Sequence, residues 1–165
     1  MRTPYFRLAT LDDCRLIADW ISNPLLNVTL SSNLRRAKIA KEAIALGLRR
    51  RDQSWMVFST GASKPLLGLV AIDSIDAIDR TANVWFLMGE SQLFGQGITS
   101  SALAYFCETN PIGLHTVTAW AIEDNLASLR CMEKAGFTYA GRISEAVFSD
   151  GSWRDRILMQ RRMGC

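Results

Sequence analysis

The fold is decided by the stretch Phe94-Gly95-Gln96-Gly97-Ile98-Thr99-Ser100, which lies between a predicted strand and a predicted helix. Two glycines let the backbone turn with several N–H groups pointing into one concavity, and the helix adds its unpaired amides and positive dipole end. This arrangement favours a phosphate or pyrophosphate ligand, although a tight turn that merely needs glycine is an open alternative. A Walker A loop is excluded because no Gly-Lys-Ser/Thr follows. A dinucleotide G-x-G-x-x-G motif is excluded because Ser100 stands at the third glycine position.

The segments around this turn predict a strand meander before it and alternating helices and strands after it. The predicted strands upstream are Ser54–Ser59, Leu66–Ile75 (buried on both faces) and Ala82–Met88. Downstream, the spacing of apolar residues predicts a helix from Gly97 to about Glu108 and a strand over His115–Ala121. It then predicts a helix over Asn125–Ala135 and strands over Thr138–Phe148 and Trp153–Gln160. The Asp150-Gly151 pair between the last two strands is a hairpin signal.

The N-terminal part predicts a strand and two helices. Tyr5–Ala9 reads as the strand, and a capping box at Thr10 and Asp13 opens a helix to about Ile21. A loop over Pro24–Ser32 and a helix over Leu34–Leu48 follow. The whole pattern predicts one α+β domain over residues 1–165, with a mixed, mostly antiparallel central sheet flanked by about four helices.

Composition narrows the class of protein. A chain of 165 residues is the size of one domain, and its net charge of +3 falls short of the basic surface of a nucleic-acid binder. The four cysteines include no C-x-x-C pair. His115 is the only histidine in the sequence, which excludes His-rich zinc sites, so no metal is expected. No apolar run approaches the length of a membrane span and no secretory signal opens the chain, which predicts a soluble cytoplasmic protein.

A second segment, Asn125-Leu126-Ala127-Ser128, leads to Glu133-Lys134-Ala135-Gly136-Phe137. Each residue alone has an ordinary role, such as an N-cap for Asn125 and a helix stop for Gly136. The ordered combination with the glycine turn resembles the GNAT superfamily of acyl-CoA N-acyltransferases over nearly the whole chain. The start at Phe6–Thr10 and the tail at Asp150–Asp155 are similar to the branch of ribosomal-protein N-terminal acetyltransferases.

The resemblance implies a binding site for acetyl-CoA. The pyrophosphate would lie on the turn formed by Gly95, Gln96, Gly97, Ile98, Thr99 and Ser100, and the pantetheine arm along Leu87 and Met88. Asn125 would contact the pantetheine side, and Arg130 or Lys134 would reach the 3′-phosphate, with solvated charges as the alternative. Where the family usually has Arg or Gln this chain has Phe94, and where it has Gly or Ala this chain has Thr99.

The resemblance leaves the catalytic groups open. The tyrosine that many members use as general acid falls at Met132, so Ser128 is the candidate for that role, with a surface serine near the cofactor as the alternative. A base must accept the proton of the acceptor ammonium. Glu90 is the first candidate and Asp73 the second, whereas Trp120 and Asn83 stand where relatives place a glutamate.

The expected activity is acetyl transfer from acetyl-CoA to a primary amine by direct attack in a ternary complex. The acceptor is either a protein N-terminus or a small-molecule amine, and a homodimer is left open. A non-catalytic acyl-CoA-binding or regulatory module is the alternative function, because the tyrosine is missing.

Overall fold

A computed structural model describes residues 4–27, 40–149 and 151–163. Its strands are β1 (Tyr5–Leu8), β2 (Ser54–Ser59), β3 (Gly68–Asp76), β4 (Thr81–Met88), β5 (Thr116–Ile122), β6 (Thr138–Ser149) and β7 (Ser152–Arg162). Its α-helices are α1 (Cys14–Ser22), α2 (Pro24–Asn27), α3 (Lys41–Leu48), α4 (Ile98–Thr109) and α5 (Leu126–Lys134). One-turn 3-10 helices lie at Leu11–Asp13 and Ser91–Leu93.

The seven strands form one sheet in the order β1-β2-β3-β4-β5-β7-β6. Every neighbouring pair is antiparallel except β4 and β5, which are parallel. Their pairing covers only Thr81–Asn83 against Thr116–Thr118, and beyond it β4 continues to Met88 and β5 to Ile122 without a shared ladder. The predicted mixed, mostly antiparallel sheet is confirmed, and its middle opens where these two strands separate.

Each face of the sheet carries its own hydrophobic core. On one face, α4 and α5 pack on β2, β3, β4, β5 and β7, with Phe106 and Met132 nearly inaccessible to solvent. On the other face, α1, α2 and α3 pack on β2, β3 and β4 around Ile17, Ile44 and Leu69. The strand predicted as buried on both faces contributes to both cores, since Val70 and Ile72 lie in one core and Leu69 and Ala71 in the other.

The predicted capping box at the start of α1 is present and carries an ion pair. The Thr10 N–H donates to Asp13 Oδ2 at 2.7 Å. Arg7 Nη1 and Nη2 donate to the two carboxylate oxygens of Asp13 at 2.6 and 2.8 Å. The hydrogen bond from Arg7 holds the pKa of Asp13 below its usual value. This pair ties the end of β1 to the first turn of the helix segment.

Two predictions for the N-terminal half need correction. The predicted loop over Pro24–Ser32 begins with the one-turn helix α2, a fifth helix, for which proline at the first helical position is a favourable start. The helix predicted over Leu34–Leu48 does not run unbroken, because Ala40 has extended backbone (φ −70°, ψ 149°) and caps α3. Residues 28–39 lie outside the described part of the chain, as does Asp150 of the predicted hairpin turn.

Candidate active site

The glycine turn has the left-handed backbone that glycine favours. Gly95 has φ +76° and Gly97 has φ +77°, and Gly97 is the N-cap of α4. The Ser101 N–H donates to Gly97 O at 3.0 Å, so the N–H groups of residues 98–100 precede the first backbone bond of the helix. The Ser100 hydroxyl donates to the same carbonyl at 2.9 Å. The turn therefore presents helix N–H groups and the positive end of a helix dipole, as the sequence predicts.

The end of β4 lies beside the turn and has an unpaired edge. One edge of β4 pairs with β3, where Leu69 faces Leu87 and Gly68 faces Met88. The other edge has no strand beside it past Asn83 in the described part of the chain, because β5 has separated. A free strand edge offers N–H and C=O groups to an extended ligand as an added strand would. The resemblance noted in the sequence leads us to expect a pantetheine arm, which contains amide groups, along this edge.

A cavity of about 360 Å³ joins the glycine turn, the end of β4 and α5. It also reaches Leu26 of α2, which belongs to the core on the opposite face of the sheet from α5. The cavity therefore lies at the opening between β4 and β5, and its walls include residues from the cores on both faces of the sheet. Its walls consist of Leu26, Phe86, Leu87, Met88, Leu93, Phe94, Gly95, Gly97, Ile98, Thr99, Ser100, Ala127, Ser128, Arg130, Cys131 and Lys134.

Helix α5 presents one face to this cavity. Asn125 is its N-cap, and its Oδ1 accepts a hydrogen bond from the Ser128 N–H at 3.1 Å. Ser128 is buried in the cavity wall, and the cations Arg130 and Lys134 stand further along the helix. Met132, where the resemblance places the tyrosine of many relatives, is 1% exposed and packs in the core away from the cavity.

Eight of the predicted site residues line the cavity, namely Leu87, Met88, Gly95, Gly97, Ile98, Thr99, Ser100 and Ser128. Three others do not. Gln96 turns its amide back to Gln92 O at 3.2 Å, and Asn125 is engaged as the helix cap. Glu90 lies past the end of β4, where it caps the 3-10 helix and its Oε2 accepts from Gln92 Nε2 at 3.1 Å. The alternative base Asp73 pairs with Asn83, towards the end of β4 that is remote from Met88.

Several residues that line the cavity are not among those predicted from the sequence, and Cys131 is chemically the most important of them. Its burial raises the pKa of the thiol to about 12, so the group is a neutral thiol at physiological pH. Helical spacing from Ala127 and Ser128 is the signal that places Cys131 on the same face. The apolar residues Leu26, Phe86 and Leu93 come from three separate elements, and no sequence pattern brings them together.

Trp85 and Trp20 do not line the cavity but pack against neighbouring groups. Trp85 meets Trp55 edge to face, with ring centroids 5.2 Å apart. Trp20 is 5% exposed and lies so close to Gly89 that a Cβ there would come within 2.2 Å of the indole ring. Because residue 89 is a glycine, α1 packs directly against the segment that follows β4.

Across residues 4–27, 40–149 and 151–163, no three His, Cys, Asp or Glu side chains stand close enough together to hold a metal ion. None of the helices that the structure describes has the length and hydrophobicity to cross a lipid bilayer.

Comparison with known proteins agrees with this architecture. In structure, the chain is similar to spermidine N-acetyltransferase from Vibrio cholerae in complex with CoA and spermine, at 19% identity and a TM-score of 0.81, with 98% of this chain and 96% of that chain covered. It is also similar to a chimera of the Vibrio cholerae enzyme and hSSAT, at 19% identity and a TM-score of 0.78, with 97% and 95% covered. No curated protein matches the sequence.

The family comparison covers most of the chain. Residues 5–138 match the model of the acetyltransferase (GNAT) domain, a range that includes the glycine turn, the separating strands and α5. The chain therefore belongs to the GNAT family of acetyl-CoA-dependent N-acetyltransferases.

Proposed function

We propose that this protein transfers an acetyl group from acetyl-CoA to a primary amine by direct attack within a ternary complex. The observation that carries the proposal is the cavity, which combines a glycine turn suited to an anion with a free strand edge and lies where β4 and β5 separate. One face receives the acyl donor, and the amine approaches from the other. Bringing the two reactants together supplies several kcal/mol of the barrier reduction in reactions of this kind.

Acetyl-CoA would bind along three elements of the cavity. Its pyrophosphate fits the N–H groups that follow Gly97, and its pantetheine amides fit the free edge at Leu87 and Met88. Arg130 and Lys134 supply positive charge for the 3′-phosphate. Gln96 and Asn125 would support this site through the backbone and the helix cap, because neither side chain lines the cavity.

The chemistry needs a neutral amine and a stabilised leaving group. The amine nitrogen attacks the thioester carbon, the C–S bond breaks, and the sulfur leaves as a thiolate that takes up a proton. Ser128 is the hydroxyl in the cavity wall of α5 and is proposed to hydrogen-bond this sulfur. Glu90 would act on the ammonium proton through water, since its carboxylate lies outside the cavity wall.

The acceptor class is proposed only as a primary amine. Resemblance to the ribosomal-protein branch favours a protein N-terminus, while the similar Vibrio cholerae enzyme is a spermidine N-acetyltransferase and favours a small amine. A cytoplasmic location and a homodimer stay predictions from the sequence.

A non-catalytic acyl-CoA-binding module is the second candidate. It is favoured by Met132, which puts a buried thioether where many relatives have an acidic hydroxyl, and by the position of Glu90 outside the cavity. Both functions require the same cofactor site and differ only in turnover.

Two measurements separate them. Calorimetric titration with CoA and with acetyl-CoA tests the site, and release of free thiol in the presence of a panel of amines tests transfer. Thiol release that depends on both substrates supports the enzyme. Tight binding with no release above the hydrolysis control supports the module, and no binding of either ligand contradicts both.

A further inference from the structure

One half of the sheet face opposite α4 and α5 is left uncovered by the described helices. The core formed with α1, α2 and α3 contains side chains from β2, β3 and β4, but none from β5, β6 or β7. On that face β5 and β7 carry Trp120, Ile122, Arg156 and Leu158, which are half-buried. A sheet face of aromatic and aliphatic side chains with a single arginine among them is a surface suited to a ligand.

Arg156 has no charged partner in the part of the chain that the structure describes. Its guanidinium carbon lies 4.1 Å from the centroid of the Trp120 ring, and its Nε is shielded from solvent with no hydrogen-bond acceptor among the described residues. None of the ion pairs among the described residues includes Arg156. The neighbouring charged residues on β7 do have charged partners, since Arg154 pairs with Asp124 at 3.3 Å and Asp155 pairs with Arg142.

This pair stands at the opening of the sheet. The last residue of β5 that pairs with β4 is Thr118, and Trp120 is the next residue of β5 on the same face. On β4 the corresponding face carries Leu87, which lines the cavity. The Trp120–Arg156 pair is not part of the cavity wall but lies on this face next to the opening, on the side from which the amine approaches in the proposed function.

We infer that Arg156 determines acceptor specificity by binding a carboxylate of the amine substrate. The inference rests on the proposed function. A guanidinium fixed by stacking on an aromatic ring loses little conformational freedom when it binds a carboxylate, and the apolar surroundings strengthen the ion pair. The same positive charge disfavours a polycation at this place. The acceptor is therefore an amine that also carries a carboxylate, either a free amino acid or a peptide with an acidic residue near its N-terminus.

The test compares matched acceptors in the intact protein. Phenylalanine and phenethylamine differ by one carboxylate, and two C-terminally amidated dipeptides differ by glutamate or glutamine at the second position, while spermidine serves as the polycation. Each is assayed with saturating acetyl-CoA for the wild type, Arg156→Gln, Arg156→Lys and Arg162→Gln. Arg162 is the control because it is an arginine of the same strand that lies at the other end of β7, beside Thr116, and is exposed.

The wild type should prefer one carboxylated acceptor over its match by about tenfold or more in kcat/KM, as one charge-assisted interaction supplies. Arg156→Gln should abolish that preference by raising the KM for the carboxylated acceptor, and it should leave the KM for acetyl-CoA unchanged. Arg156→Lys should restore part of it, and Arg162→Gln should keep it. A preference within the phenylalanine pair identifies the acceptor as a free amino acid. A preference within the dipeptide pair identifies it as a peptide with an acidic residue near its N-terminus.

Three results would overturn the inference: equal use of both members of each pair, a preference for spermidine, or an equal loss in Arg162→Gln. If no amine is acetylated although CoA binds, the proposed enzyme fails separately. Calorimetric titration of CoA-saturated protein with the carboxylated amines then tests whether Arg156 binds a carboxylate. Binding that Arg156→Gln weakens about tenfold supports the site, and absence of binding refutes it.

Discussion

Alanine in place of Gly97 tests whether the backbone of the glycine turn binds the phosphates. Gly97 has φ +77°, a conformation that costs an L-residue about 1–2 kcal/mol, so the variant should lose that much stability and roughly 2–8 °C in Tm. The added Cβ would stand 3.7 Å from Ser100 Oγ, at the side chain that bonds the first turn of α4. If the turn relaxes to relieve the strain, its N–H groups turn away from the pyrophosphate. CoA affinity should then fall at least tenfold, which is about 1.4 kcal/mol.

Gly113→Ala separates this effect from simple strain. Gly113 has φ +69°, an added Cβ there meets no atom within 4 Å, and the residue does not line the cavity. The two variants should lose similar stability by thermal denaturation, while calorimetric titration with CoA should detect an affinity loss for Gly97→Ala alone. Unchanged CoA affinity in Gly97→Ala, or the same loss in Gly113→Ala, would refute the backbone-binding model.

Further predictions concern catalysis, reactivity and stability. Ser128→Ala should lower kcat more than it raises the KM for acetyl-CoA, and a change in KM alone would assign the serine to binding. Glu90→Gln should reduce the rate most at low pH, where the amine is protonated, and an unchanged pH–rate profile would remove Glu90 from the proton route. Cys131 should alkylate slowly at pH 7–8 because its thiol has a pKa of about 12, and peptide mass spectrometry should find it slower still with CoA bound. Asp13→Asn should lower the free energy of unfolding at pH 7 by about 1–2 kcal/mol, because it weakens the Arg7 ion pair and the helix cap. The pKa of Asp13 is lowered in the folded state, so its contribution to the free energy of unfolding is present above about pH 4 and is lost at lower pH. Urea denaturation at pH 7 and pH 3 should show this loss. Asp52→Asn, which removes one partner of an exposed ion pair, is the control that should have no effect.

The sequence predicted those parts of the site that depend on local backbone geometry. Gly95 and Gly97 are needed where φ is positive, and Thr10 with Asp13 forms a cap within four residues. Such features are encoded by neighbouring residues. They therefore remain readable without knowledge of the tertiary packing.

The parts that depend on how distant elements meet were not readable. Glu90 follows a strand that borders the cavity, yet the 3-10 helix at Ser91–Leu93 redirects the chain and leaves the carboxylate outside. Leu26 enters the cavity from a one-turn helix whose apolar residues show no clear period. The stacking of Arg156 on Trp120 also depends on the pairing of two strands that are far apart in sequence, β5 and β7.

The short contact between β4 and β5 has a mechanical consequence. Among the described residues, the ladder between a half-sheet of β1–β4 and a half-sheet of β5–β7 has three parallel pairs, extended by a bond from the His115 N–H to Arg80 O at 2.6 Å. The core beneath α4 and α5 continues across this seam, whereas the opposite core stops at β4. The seam is therefore supported by a continuous core on one face only, and a ligand spanning the glycine turn and α5 would bridge the two halves. Such a ligand stabilises the joined state by mass action, so amide hydrogen exchange at Thr116–Thr118 should slow as the CoA concentration rises above Kd.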